Sequence, residues 1–350
     1  MSTKTKKVTI NDVARMAGVS KRTVSRVING SPLVGEETRK RIENVIESVS
    51  FQPDKQARGL ASKRSYLLGL VYDNPDALYI DQVQRGALSI CSELGYELVV
   101  HPCKWHEPDF VDNCLKFIAR SNVDGLLILP PVSESKLLAK ALQDADHPYV
   151  RIASADLDDH DNIVISNERA AMAEIVEHLV ELGHNNIAMI TGPLHYYSSQ
   201  ERLGGFKTSA QKAGLTLADN HIVEGKNNYE SGLACAEQLL SLPQRPSAIF
   251  ANNDEMAAGV LRVAHTLGIK VPEQLSVIGF DDNLFASRVI PSLTTMRRPV
   301  EKLAMLATQK LVGHFQHDGI STKVETIVDP YLIKRESTAV PHDKGAVTAN

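Results

Sequence analysis

No stretch of this 350-residue chain is apolar for long enough to cross a bilayer. The longest run, GLLILPPV at 125–132, falls far short of the ~20 residues a spanning helix needs. Cysteine is scarce: Cys91, Cys103, Cys114 and Cys235 form no C-x-x-C pair, which predicts reduced, partly buried thiols. Neither G-x-G-x-x-G nor a Walker-type loop occurs, so no dinucleotide or nucleoside triphosphate site, and no cofactor, is expected. The segment HPCKWHEP holds His101, Cys103 and His106, but their spacing matches no usual structural zinc pattern, and no metal is expected. Tryptophan occurs once, as Trp105; stacking on a ligand and packing under a loop are both open to it. The basic start MSTKTKK is not followed by an apolar run, so no signal peptide or membrane partner is expected and the expected location is the cytoplasm.

What the chain does have is an uneven distribution of charge. The whole carries −4, yet residues 1–64 hold 14 Lys and Arg against 6 Asp and Glu, a balance of +8. A basic module on an acidic body predicts that only the front end meets a polyanion. The length predicts two or three domains.

The front end reads VTINDVARMAGVSKRTVSRVING over residues 8–30. Thr9 and Asp12 have the spacing of a capping box, and the first helix is expected to end near Ala17. Gly18 suits a left-handed exit, Val19 plugs the corner and Ser20 caps a second helix. Val24, Val27 and Ile28 share one face of it. Lys21, Arg22, Ser25, Arg26 and Asn29 share the other, and their chemistry suits base edges and phosphates in a major groove. A third helix is expected after Gly35, with Ile42, Val45, Ile46 and Val49 inward. Next comes FQPDKQARGLASKRS. Pro53 breaks the chain, Asp54 can cap a short helix over Gln56–Ala61, and Gly59 costs that helix about 1 kcal/mol. By composition, a marginal helix and a flexible linker fit equally.

The segment TINDVARMAGVSKRTVSRVING resembles the helix-turn-helix headpiece of the LacI/GalR family of transcriptional repressors. The resemblance implies that Lys21, Arg22 and Arg26 read bases. It also implies that Thr9, Ser20, Thr23, Ser25 and Asn29 position the headpiece on backbone and phosphate. The following segment then corresponds to a hinge helix whose Leu60 wedges into the minor groove.

From Tyr66 onward, strand-like runs alternate with helix-length segments: YLLGLVY, YELVVH, DGLLILP and PYVRIA, then NIVIS, NIAMITG, HIVEG, SAIFAN and LSVIGFDD. Repeated βα units predict two doubly wound α/β lobes with parallel sheets. Ligands in such folds sit beyond the carboxyl ends of the strands. That rule points to Asp73, Asn74, His101, Asn253, Asp254, Asp281 and Asp282.

The body is similar to periplasmic sugar-binding proteins and, joined to this headpiece, to the LacI/GalR effector core. ARGLASKRS, the TGP turn, ERLGGF, FANNDEMAAG, LSVIGFDD and LTTMRRP carry the likeness over residues 7–338. The expected division is a headpiece at 1–53 (helix-turn-helix at about 10–29) and a hinge at 54–65. A first lobe follows at 66–165 plus 297–326, then a second at 166–296 plus 327–338, and a tail at 339–350. The resemblance implies effector contacts from Arg202, Asn253 and Asp281, and cleft-lining places for Asp73, Tyr79 and Ser198. A guanidinium fork, a carboxylate and an aromatic face suit a sugar; a cap for Asp281 and an ion pair for Arg202 are the structural alternatives.

Two positions depart from the family pattern. Where many sugar-responsive relatives have Asp after the PYVRIAS strand, this chain has Ala153 and Ser154. Arg298 stands where glutamine is usual. The first leaves a nucleobase or another small polar ligand open as the effector; the sequence offers no physical account of the second. The tail lacks the leucine-rich tetramerising helix of some relatives. A homodimer reading a pseudo-palindromic double-stranded operator is therefore expected, with a small-molecule effector, most simply a sugar. The function expected is sequence-specific repression of a carbohydrate-utilisation operon, and no enzymatic activity. The rivals are a purine-type corepressed regulator and a free sugar-binding protein.

Overall fold

The computed structural model describes residues 8–28, 31, 33–49, 51, 64–74, 76–315 and 324–341. It divides into two compact units, Met1–Tyr66 and Leu67–Asn350.

In the first unit, α1 (Ile10–Ala17), α2 (Lys21–Ile28) and α3 (Glu36–Ser48) surround Val13, Ala14, Ala17, Val24, Val27, Ile42 and Phe51. The expected capping box is present: the Thr9 N–H donates to Asp12 Oδ2 at 3.0 Å, and the Asp12 N–H to Thr9 Oγ1 at 3.4 Å. Such a cap stabilises a helix start by about 1 kcal/mol. Gly18 ends α1 at φ 66°, where an L side chain is strained. Ser20 starts α2 by accepting from the Thr23 N–H at 3.1 Å. Asn29 and the expected hinge segment with Gly59 and Leu60 lie outside the described residues.

The second unit holds two six-stranded sheets. The first contains β1 (Leu67–Tyr72), β2 (Glu97–Pro102), β3 (Gly125–Ile128), β4 (Tyr149–Ala153), β5 (Ile163–Ser166) and β11 (Ile327–Val328), in the order β11-β5-β4-β3-β1-β2. The second contains β6 (Ile187–Thr191), β7 (Ile222–Glu224), β8 (Ala248–Ala251), β9 (Ser276–Asp281), β10 (Thr294–Arg297) and β12 (Tyr331–Ile333), in the order β12-β10-β9-β8-β6-β7. Every pairing is parallel except that of β12 with β10. β3, β4, β5, β6 and β8 are buried along their whole length. That explains their unbroken apolar runs, since helices cover both faces.

The first lobe's helices are α4 (Ala77–Leu94), α5 (Phe110–Ser121) and α6 (Lys136–Asp144). The second lobe's are α7 (Glu168–Glu181), α8 (Tyr197–Lys212), α9 (Tyr229–Leu240) and α10 (Asp254–Thr266). A further helix, α11 (Val300–Gly313), returns to the first lobe and packs on α4. The two meet so closely at Gly86 that a Cβ there would collide with the Glu301 carbonyl.

The chain crosses between lobes three times: after β5, after β10, and between β11 and β12. The last crossing corrects the expected boundary. Ile327 and Val328 pair with Ile165 and Ser166 of the first sheet, because their backbone completes the open edge of β5. The switch to the second lobe therefore falls after Val328 and not before Ile327.

Candidate functional site

Lys21 and Arg22 are exposed on the outer face of α2, and Ser25 and Arg26 are half-buried beside them. No carboxylate pairs with Lys21, Arg22 or Arg26 among the described residues. Their charge is available to phosphates and base edges. Thr9, Ser20 and Thr23 are placed differently from a purely external role. Ser20 Oγ and Thr23 Oγ1 lie 2.8 Å apart, and all three hydroxyls take part in starting α1 and α2.

In the second unit a cavity of about 400 Å³ opens between the lobes. The carboxyl ends of the strands build it, as the fold dictates. Asp73 follows β1, Ser154 follows β4, Asn252 and Asn253 follow β8, Asp281 ends β9 and Arg298 follows β10; all of them line it. Tyr79 of α4 and Ser198 and Arg202 of α8 complete this set. The six effector residues named from the sequence thus stand around one space.

A buried ionic chain forms its floor. Arg202 Nε donates to Glu168 Oε2 at 2.7 Å, and Arg202 Nη1 to the Asn252 carbonyl. Glu168 Oε1 accepts from Ser154 Oγ at 2.9 Å and faces Arg298 Nη1 at 3.5 Å. Arg298 Nη2 in turn lies 2.9 Å from Asp281 Oδ1. The two guanidiniums also cover aromatic faces, Arg202 over Phe280 at 3.6 Å and Arg298 over Tyr79 at 4.7 Å. Burial pushes Glu168 up, but the charges of Arg202 and Arg298 and the bonds from Arg202 and Ser154 hold it below the ordinary carboxyl range. For Asp281, burial wins over Arg298 and Arg202 and raises it. Burial also pushes the Tyr79 phenol up to about 12.

Buried polar atoms without a hydrogen-bond partner cost roughly 1–3 kcal/mol each, and a ligand that reaches those beside a cavity offsets that cost. Tyr79 Oη, Asn252 Oδ1 and Arg298 Nε are of this kind, and all three residues line the cavity. Asp281 Oδ1 is ion-paired with Arg298 but receives no well-directed hydrogen bond.

Other residues named from the sequence are spent on the fold. Asn253 caps α10 through the Met256 N–H at 2.9 Å and donates to the Asn227 carbonyl at 3.0 Å, so it reaches the cavity with both side-chain groups engaged. Asp73 accepts from the Trp105 N–H at 3.0 Å. Asp254 is buried against Thr295 and the Asn283 N–H. Asp282 pairs with Arg297 and Arg335. His101 stacks on Phe117 at 4.3 Å. None of the last three lines the cavity. Trp105 does not line it either; it packs against the first lobe's core and lies 6.5 Å from Tyr196 of the second.

Sequence reasoning missed Glu168. It stands just beyond β5, where the strand-end rule would have found it. Arg298 was visible as an oddity without a partner. The Ser154 departure now has a physical reading: its hydroxyl ties the first lobe to Glu168 of the second.

Glu134 makes another contact between lobes. Its Oε1 accepts from the Tyr197 N–H at 3.1 Å, at the start of α8, whose own N-cap Tyr196 supplies no side-chain bond. Burial, opposed by that bond and helped by Glu168, raises the Glu134 carboxyl to about 7. The folded state therefore favours the neutral acid. Its contribution is complete below pH ~4.5 and is lost as pH rises through about 7. Glu134→Gln keeps an acceptor without a charge. Its melting temperature should gain on the unmodified chain between pH 5 and pH 8; a constant gap across that range would contradict the assignment.

A basic helix-turn-helix unit carried on the same chain as a two-lobed, ligand-sized cleft defines a ligand-responsive DNA-binding regulator. Comparison with known proteins agrees. Residues 9–54 match the pattern of bacterial regulatory proteins, lacI family, and residues 176–338 that of a periplasmic binding protein-like domain. The ribose operon repressor of Escherichia coli is 33% identical over 94% of this chain and 99% of its own. A solved complex of the transcriptional regulator CelR with cellobiose superposes with a TM-score of 0.71 at 28% identity, over 94% of this chain and 99% of that one. The lac repressor dimer bound to operator gives 0.74 at 29%, over 95% and 100%. The chain belongs to the LacI family of bacterial transcriptional regulators.

Proposed function

We propose that the chain acts as a homodimeric repressor whose grip on a pseudo-palindromic operator is switched by a small carbohydrate held between the lobes. The observation that carries the reading is a cavity lined by Tyr79, Asn252 and Arg298, each of which has a buried polar atom without a hydrogen-bond partner, namely Oη, Oδ1 and Nε. A hydroxyl-rich ligand donates to and accepts from such a set. Asp281 serves as a further acceptor, and Tyr79 offers an aromatic face. The similar ribose operon repressor and the CelR complex with cellobiose support the same chemistry. Exposed apolar side chains on the second lobe, among them Phe285 and Ile290 at 49% and 95% exposure, favour a second copy as partner.

The ligand closes the lobes on each other, and segment 54–65 carries that change to the headpiece. A coupling of 1–3 kcal/mol, typical of such systems, changes operator occupancy roughly 5–150-fold. No step calls for turnover of the ligand.

Arg22→Ala tests the DNA-reading assignment. Removing one base-reading guanidinium should relax discrimination at one position of each half-site by about 1–3 kcal/mol, seen as an altered sequence set in a binding selection. Equal weakening on all sequences would mean that Arg22 touches only phosphate.

A further inference from the structure

We infer that the ligand of the cleft is an acidic monosaccharide, whose carboxylate is taken by Arg298. The inference rests on the reading of the cleft as the effector site and deepens it. It comes from an account of donors and acceptors on the cavity wall.

The wall's carboxylates already have protein partners. Asp73 accepts from the Trp105 N–H, and Asp76 from the N–H groups of Leu78 and Tyr79. Glu255 accepts from the backbone of Tyr229. The cations are served less well. Lys226 is exposed on the wall and has no ion pair among the described residues. Arg298 is the stronger case. Its side chain is only 13% exposed, its Nη1 reaches Glu168 at a long 3.5 Å, and its Nε has no acceptor. Its Nη2 meets Asp281 without a well-directed bond.

Arg298 has two carboxylate neighbours, Glu168 and Asp281, yet its Nε is left without an acceptor, and a planar, two-oxygen acceptor matches the geometry of its fork. The Tyr79 ring lies 4.7 Å from the centre of that fork. The ligand's remaining groups are hydroxyls, which suit Tyr79 Oη, Asn252 Oδ1 and the oxygens of Asp281. A neutral glutamine at this place would offer no such charge. Arg298 is therefore a specificity-determining residue, and sugar acids are preferred over the parent sugars.

The test is titration calorimetry on the full-length chain, with the fluorescence of Trp105 as a second readout. The probes are D-glucuronate and D-galacturonate, D-glucose and D-galactose, D-glucosamine, and D-glucose 6-phosphate. At least one uronate should bind roughly 10- to 100-fold more tightly than its parent hexose, the scale of a charge-assisted hydrogen bond. Arg298→Gln should erase most of that gap, with its ligand-free melting curve reporting whether the fold is kept. Equal or tighter binding of a hexose by the unmodified chain overturns the inference and leaves the sugar reading standing. A preference for glucosamine overturns the sign of the charge, and one for glucose 6-phosphate overturns the carboxylate. An unchanged gap in Arg298→Gln removes Arg298 as its cause. If no uronate binds, the inference is overturned, and D-ribose and cellobiose, titrated alongside, then decide whether the sugar reading stands.

Discussion

Asp281→Ala leaves operator affinity unchanged and abolishes release by the effector. Asp281 ends β9 at φ 104°, a conformation rare outside glycine, and a non-glycine residue held there costs on the order of 1–3 kcal/mol. The fold retains that strain at a point where the side chain lines the cavity and pairs with Arg298. Removing the carboxylate takes away the acceptor for ligand hydroxyls and leaves the Arg298 guanidinium leaning on Glu168 alone. A hydrogen bond from a ligand hydroxyl to a charged acceptor contributes about 1.5–3 kcal/mol, so ligand affinity should fall by roughly 10- to 100-fold. Asp281→Asn keeps the shape and shows how much of the loss is charge. Calorimetry measures the ligand, and fluorescence anisotropy with a labelled duplex measures release. If ligand still frees DNA from Asp281→Ala at the original concentration, Asp281 is not an effector residue.

The second large effect is on stability. Glu168 is fully buried between two guanidiniums and also accepts from Ser154. Glu168→Ala strands Arg202 without a carboxylate and leaves Arg298 with Asp281 alone, and breaking a buried pair from one side costs about 3–5 kcal/mol. At roughly 2–4 °C per kcal/mol for a domain of this size, the effector core should melt about 6–20 °C lower. Glu168→Gln, which keeps an acceptor of similar shape, should lose less. Urea unfolding of the core gives the free energy directly. A loss under about 1 kcal/mol in Glu168→Ala would mean that water already reaches these guanidiniums and that the floor of the cleft is not a closed ionic chain.

Local chemistry made some of this legible in the sequence. Thr9, Asp12, Gly18 and Ser20 act within a few residues of their partners, so caps and turn could be read directly. The βα alternation announced both lobes, because parallel strands buried on both faces must be continuously apolar. The cleft's position followed from the strand ends. What could not be read was partnership across the crossings. Glu168 and Arg298 lie 130 positions apart in the numbering, and only the return of the chain after β10 brings them together. The strand-end rule was also too generous: it named Asp254, Asp282 and His101, whose polar or aromatic groups serve buried hydrogen bonds, ion pairs and packing outside the cavity wall. For Asn253, the asparagine that lines the cavity is the same one that caps α10, a double duty that sequence position cannot separate.

The central claim is that one chain both reads DNA sequence and reports a bound sugar. Its most direct test is a duplex selection on the full-length protein at physiological salt, followed by titration of the selected duplex with a bound sugar. The account predicts a preference for the selected sequence over random DNA of about 10³-fold or more, and a shift of roughly 5- to 150-fold in its affinity when the sugar is added. Equal affinity for selected and random duplexes, with and without sugar, would contradict it.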